Sequence, residues 1–151
     1  MKIFKLCIGM IFVFILTGCI GENYDFSPPA VNLSSDSNII SEELVEANID
    51  WRGEGNYLIE KETKDILALA KKQQPMYFNT GEKVDLLFEH ADFSNESLNV
   101  SIWQNDKKLD LEVNDISFYL PKEKGEYAVE VNLQTDRGNA QYVGNIVLIS
   151  N

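Results

Sequence analysis

Hydrophobic and polar residues alternate with a period of two over most of the chain's second half. In "KVDLLFEH", residues 83–90, Val84, Leu86 and Phe88 fall on one face, with Asp85 and Glu89 opposite. This is the pattern of a half-buried β-strand. It recurs at Leu98, Val100 and Ile102, at Ile116, Phe118 and Leu120, and at Tyr127, Val129, Val131 and Leu133. A short strand at 76–78, a weaker one at 108–113 and a mostly apolar closing strand at 140–149 complete the series. Turn residues separate them: Asn79-Thr80-Gly81, Asn105-Asp106 and "TDRGN", where Gly138 is free to take positive φ. Upstream, residues 30–33 read as strand, and "VEANIDW", 45–51, places Val45, Ala47, Ile49 and Trp51 on one face before "RGEGNY" breaks the pattern. One helix is predicted, over 63–73: Ile66, Leu69 and Ala70 share a side with Leu67 beside them, and Thr63 is placed to cap the start. Lys71 and Lys72 suit its negative end, Pro75 stops it, and it is expected to pack over one end of a sheet. Seven or more short antiparallel strands with one short helix predict an antiparallel β-sandwich.

The beginning of the chain differs in kind. "MKIFK" carries two positive charges and no acid, and residues 6–16 are almost unbroken in apolarity, as in an export signal. Eleven such residues span about 17 Å as helix, short of the roughly 30 Å of a bilayer core. "LTGC", residues 16–19, then resembles the lipobox of bacterial lipoproteins. The resemblance implies a diacylglyceryl group on the sulfur of Cys19 and cleavage just before it; an ordinary secreted protein with an incidental Cys19 is the alternative. Two acyl chains hold a protein stably at a membrane where one does not. The expected organisation is a signal peptide at 1–18, a lipidated Cys19 and tether at 19–29, and one domain at 30–151. The Pro-containing tether reaches at most about 35 Å past Cys19. Cys7 leaves with the signal, so no thiol remains for a disulfide, a nucleophile or a metal.

In "KGEYAV", residues 124–129, a Gly, one intervening residue and a Tyr open a strand near the chain's end. This resembles the tyrosine corner of immunoglobulin-like sandwiches, with Val129 where antibody domains carry their second Cys. The wider pattern of Trp51, "KVDLLFEH", "LP", "KGEY" and "AQYVGNIVL" is similar to uncharacterised lipoproteins of Gram-positive bacteria, from which no activity can be transferred. The resemblance implies an immunoglobulin-like β-sandwich. One departure stands out: Trp103 is out of phase with Leu98, Val100 and Ile102, so it faces outward, and Tyr119 alternates likewise against Phe118 and Leu120. Either these rings are covered by the helix or a loop, or they form an exposed aromatic patch for a sugar or a protein.

Charge narrows the partners. The chain carries a formal net charge of −11; without Lys2 and Lys5 of the signal, 11 basic residues face 24 acidic ones, a net −13. Such a surface repels nucleic acid and anionic headgroups, so the lipid must do the anchoring. His90 is the only histidine, beside Glu89 and Asp92, with no nucleophile elbow or Cys to accompany it. A loop with Asp92, Asn95 and Glu96 offers oxygen ligands for a hard cation but lacks the alternating carboxylates and glycine of a calcium loop. Asp85, Glu89, Glu126 and Glu130 lie on polar strand faces, where solvation accounts for them. The expected function follows: a lipid-anchored domain on the extracytoplasmic face of the cell membrane that binds or positions an envelope protein or glycan. It would use Trp103 and Tyr119 as contacts, with no catalysis and no cofactor. The alternative is a small cell-wall-polymer hydrolase, or an accessory domain, working through paired carboxylates.

Overall fold

The computed structural model describes residues 26–36 and 38–150; the expected signal peptide, the expected lipidation at Cys19 and the expected tether up to residue 25 lie outside the described residues. Two sheets pack face to face as a β-sandwich. The first, in the order β2-β1-β6-β10-β9, contains β1 (Val31–Ser35), β2 (Asn38–Glu43), β6 (Lys83–Phe88), β9 (Val113–Asn114) and β10 (Ser117–Tyr119). The second runs β4-β3-β12-β11-β7-β8, from β3 (Val45–Arg52), β4 (Leu58–Lys61), β7 (Asn95–Gln104), β8 (Lys107–Leu111), β11 (Gly125–Thr135) and β12 (Gly138–Ile149). The seventh strand of this sheet, β5 (Met76–Asn79), pairs with the second half of β12 and is parallel to it. Every other pairing is antiparallel.

The alternation seen in the sequence becomes the core between the sheets. Val84, Leu86, Val100, Ile102, Phe118, Leu120, Val129, Val131 and Leu133 are all buried there, with Trp51 and Tyr142 the largest fully buried side chains. The corner forms as expected: the Tyr127 hydroxyl donates to the Glu123 carbonyl at 3.1 Å, four residues upstream, beside Gly125 with φ 151°. Strand order agrees with the corner. β1-β6-β10-β9 reproduces the A-B-E-D sheet of an immunoglobulin sandwich, and β12-β11-β7-β8 reproduces G-F-C extended by C′. The opening strand is split between the sheets, β1 on one and β5 on the other, and residues 36–75 between them form an insertion. Its β2 widens the first sheet and its β3–β4 hairpin covers the other half of the β12 edge, which would otherwise offer unpaired backbone groups.

Several details depart from the alternation rule. Gln141 of β12 faces Asn48, whereas Tyr142 faces Glu46, so Ala47 is an extra residue, a bulge. Val45 and Ala47 therefore turn to the outer face while Ile49 and Trp51 enter the core, and the expected single face of β3 is two faces. Thr63 serves this bulge instead of capping the helix. Its hydroxyl donates to the Ala47 carbonyl at 2.6 Å, and its backbone N–H to Asn48 Oδ1 at 2.6 Å. The helix α1 is consequently shorter, Ile66–Lys71, and Asp65 caps it by accepting the Ala68 N–H at 2.9 Å. It lies on the outer face of the second sheet over Ala47, Ala128 and Val143. The predicted strand at 108–113 is two strands, β8 and β9, because the chain changes sheets around Glu112. β2 and β4 are short edge strands without a legible alternation. The tether also ends early. Pro28 and Pro29 are buried, Tyr142 donates its buried hydroxyl to the Pro29 carbonyl at 2.8 Å, and Arg137 lies 5.1 Å from the Phe26 ring centroid.

Two glycines test how the insertion is fixed to the frame. Gly55 (φ 61°) sits in the 3₁₀ turn Glu54–Asn56, and a Cβ there meets nothing within 4 Å. At Gly138 (φ 139°), opposite Trp51, a Cβ would stand 2.1 Å from the Asp50 carbonyl oxygen. Gly55→Ala should cost about 1 kcal/mol, the backbone penalty alone. Gly138→Ala should cost more than about 3 kcal/mol, since β3 must move away from β12. Urea midpoints of the two variants measure the difference, and equal values would mean the hairpin tolerates that displacement.

Candidate functional site

The outer face of the second sheet is where the fold gathers polar side chains into one place. Outward positions line up across strands because the register is continuous. Asn99 of β7 pairs with Asn132 of β11, Asn132 with Gln141 of β12, and Gln141 with Asn48 of β3, which makes a row of four amides. The next row holds Ser97, Gln134, Asn139 and Asp50 in the same order. Strands lie about 4.8 Å apart and alternate residues about 6.7 Å, so the eight positions tile roughly 14 by 7 Å. Residues 61–64, leading from β4 to the helix, rise beside them and close one side of an open groove of about 730 Å³.

Beside the groove, behind Asn132 and Gln141, stands Glu130, two residues before Asn132 on β11 and only 4 % exposed. Expected on a solvated face, it is covered instead. Oε1 accepts from Asn132 Nδ2 at 2.9 Å and from Gln141 Nε2 at 2.8 Å; Oε2 accepts from Trp103 Nε1 at 2.6 Å. Lys108 Nζ completes the set at 3.2 Å from Oε2 and lies 5.4 Å from the centroid of the Trp103 ring. Burial by itself pushes the Glu130 carboxyl upward and is the largest single influence. The hydrogen bonds from Asn132, Trp103 and Lys108 and the Lys108 charge together outweigh it, so the group is held below the ordinary carboxylate value of 4.5. The donors form a directed chain. The Thr63 N–H donates to Asn48, Asn48 to Gln141, and Gln141 to Glu130. The outer-face bulge of β3 and the buried carboxylate are thereby one network.

The structure separates the two aromatic residues expected to act together. Trp103 faces outward, as its phase implies, but it packs against the small buried cluster of Ala47, Ala70, Ala128 and Val143 that the helix also covers, and it commits its N–H to Glu130. Tyr119 is 62 % exposed and belongs to the other sheet, so the two rings share no surface. His90 sits edge-on to Phe93, 6.3 Å between ring centroids. Asp92, Asn95 and Glu96 do not converge. The Asp92 carbonyl accepts from Arg137 at 2.9 Å, Glu96 accepts from Gln134 at 3.2 Å, and Asn95 pairs with Thr135 in the ladder. Among the described residues no three His, Cys, Asp or Glu side chains are grouped to hold a metal ion.

The amides differ in how far they are used up. Asn48, Gln134 and Gln141 are engaged at both ends, and Asn132 engages only its Nδ2. Asn99 and Asn139 make no side-chain hydrogen bond among the described residues. Alternation implies outward positions for Asn48, Asn99 and Asn132, but which residues become neighbours is decided by register. A scan against protein-family models found no match, and a search of curated proteins found no similar sequence.

Glu130 supplies a pH test of the network. A carboxyl whose pKa is lower in the folded than in the unfolded protein adds stability above the unfolded value, near 4.5, and loses it as pH falls through the folded value. Glu130→Gln keeps the shape but sets an amide NH₂ against donors, and should lower stability by about 2 kcal/mol at pH 7. The gap from wild type should narrow as the pH is lowered toward 3 in urea titrations. A gap independent of pH would show that the charge is not what the network holds.

Proposed function

We propose that the protein is a lipid-anchored display domain that binds another component of the cell envelope through the outer face of its second sheet, without performing chemistry on it. The observation that carries this reading is the groove: ordered polar side chains, part of whose hydrogen-bonding capacity is unused, lie on a rigid sheet and beside a fixed wall. Such a surface suits recognition by hydrogen bonding. The anchor is the diacylglyceryl group on Cys19 implied by the lipobox, and it places the domain on the extracytoplasmic face of the cell membrane. Since the chain is already docked on the domain at Phe26 to Pro29, the seven residues 19–25 set the separation between lipid and domain at no more than about 25 Å. The partner must lie close to the bilayer. Among the described residues no helix is long and apolar enough to cross a membrane.

Two experiments test this. Cys19→Ala should move the protein from the membrane fraction to the soluble fraction and abolish its labelling by a fatty-acid analogue; retained labelling would remove the anchor from the reading. For the binding face, a photo-cross-linking residue is introduced into the full-length lipoprotein in its own cells, at Asn139 in one strain and at Tyr119 in another. Capture of a defined component from position 139 and not from 119 is expected. Capture only from 119 would move the interaction to the opposite sheet, and capture from neither would overturn the display function.

A further inference from the structure

The groove's chemistry also restricts what it holds, an inference that rests on the display reading above. Six of its eight floor positions are Asn or Gln, with Ser97 and one carboxylate, Asp50, as the others. Asn is poorly suited to strands, so a block of amides on four adjacent strands is not what sheet stability alone selects. Nor is it what solubility selects in this chain, where the remaining surface is strongly acidic. The floor is a nearly uncharged island within a chain of net charge −11.

Each amide presents a donor and an acceptor side by side. An anion would meet carbonyl oxygens at every step, with Lys61 and Lys64 of the wall as the cations within reach. A cation would meet as many N–H groups. A hydroxyl or an acetamido group, by contrast, both donates and accepts, and matches such a surface at each contact. An added peptide strand takes its affinity from the backbone groups of a sheet edge, whereas this site is the face of four interior or paired strands. The volume of about 730 Å³ lies within the range of small-ligand clefts. From these observations we infer that the groove binds an uncharged oligosaccharide, rich in hydroxyl or acetamido groups, with Asn99, Asn132 and Asn139 as its hydrogen-bonding contacts.

The test is a titration of the full lipidated protein, labelled with ¹⁵N, in detergent micelles, following the side-chain NH₂ signals of Asn and Gln. The probes are a tetramer of N-acetylglucosamine, a tetramer of glucose and a sulfated tetrasaccharide of similar length. Saturable shifts confined to the three named amides are expected with one or both neutral tetramers and not with the sulfated one. Asn99→Asp and Asn139→Asp each remove donors from side chains on which the fold does not depend, and should weaken binding about tenfold while leaving the remaining spectrum in place. Absence of shifts with both neutral tetramers up to about 10 mM, a range that captures very weak binding, overturns the assignment. So does preferential binding of the sulfated probe. If the cross-link at position 139 captures a protein while the tetramers fail, the display function stands and the saccharide assignment falls; if both experiments are blank, both fall.

Discussion

A buried carboxylate on the outside of a sheet constrains everything around it. Glu130 is kept ionised by four donors that come from β7, β8, β11 and β12, so these strands must hold their register for the charge to remain satisfied. Removing one partner from such a group costs far more than the pair contributes net, because an uncompensated charge stays behind. The same four donors explain the fate of neighbouring side chains. Trp103 lies with its N–H directed inward and its ring under Lys108, and Gln141 faces Glu130 with one end and Asn48 with the other. The amide row is therefore held from one side, and only Asn132 and Asn99, toward its other end, keep free groups.

The insertion between β1 and β5 is what turns a sandwich face into a groove. Without residues 36–75 the outer face of β12 and β11 would be flat and open at the β12 edge. β3 extends the floor by one strand, the bulge at Ala47 offers a carbonyl that the ladder cannot satisfy, and Thr63 answers it. That bond brings residues 61–64 up as a wall and sets α1 over the small side chains Ala47, Ala128 and Val143. One end of the face is thus sealed by apolar packing and the other is left polar. Glu130 lies at their boundary and is bonded from both.

Much of this was legible. Strands with a two-residue period and one buried face were found where they are, as were the turns at Asn105-Asp106 and Gly138 and the corner at Tyr127. What failed to be read failed for identifiable reasons. β2 and β4 are edge strands whose position comes from pairing with β1 and β3, not from a buried stripe. The two faces of β3 follow from one extra residue, and a bulge is a property of two strands together. Thr63 has the right chemistry for a helix cap and was claimed by a closer need. Glu130 reads as a solvated strand residue until Trp103 and Lys108 are seen to cover it.

The sequence by itself determined the class of fold and the character of the surface. Alternation fixes which side chains leave water, and burial of apolar area is local enough to be read strand by strand. The lipobox-like LTGC and the charge balance likewise belong to the chain as written, and the expected membrane address rests on them alone. The candidate site was decided only in three dimensions. Asn48, Asn99, Asn132 and Gln141 are spread over more than ninety residues of chain, and nothing in the spacing of one strand specifies which residue of another will stand beside it. Register supplies that information, and register is the outcome of packing two sheets, one bulge and one buried charge at the same time.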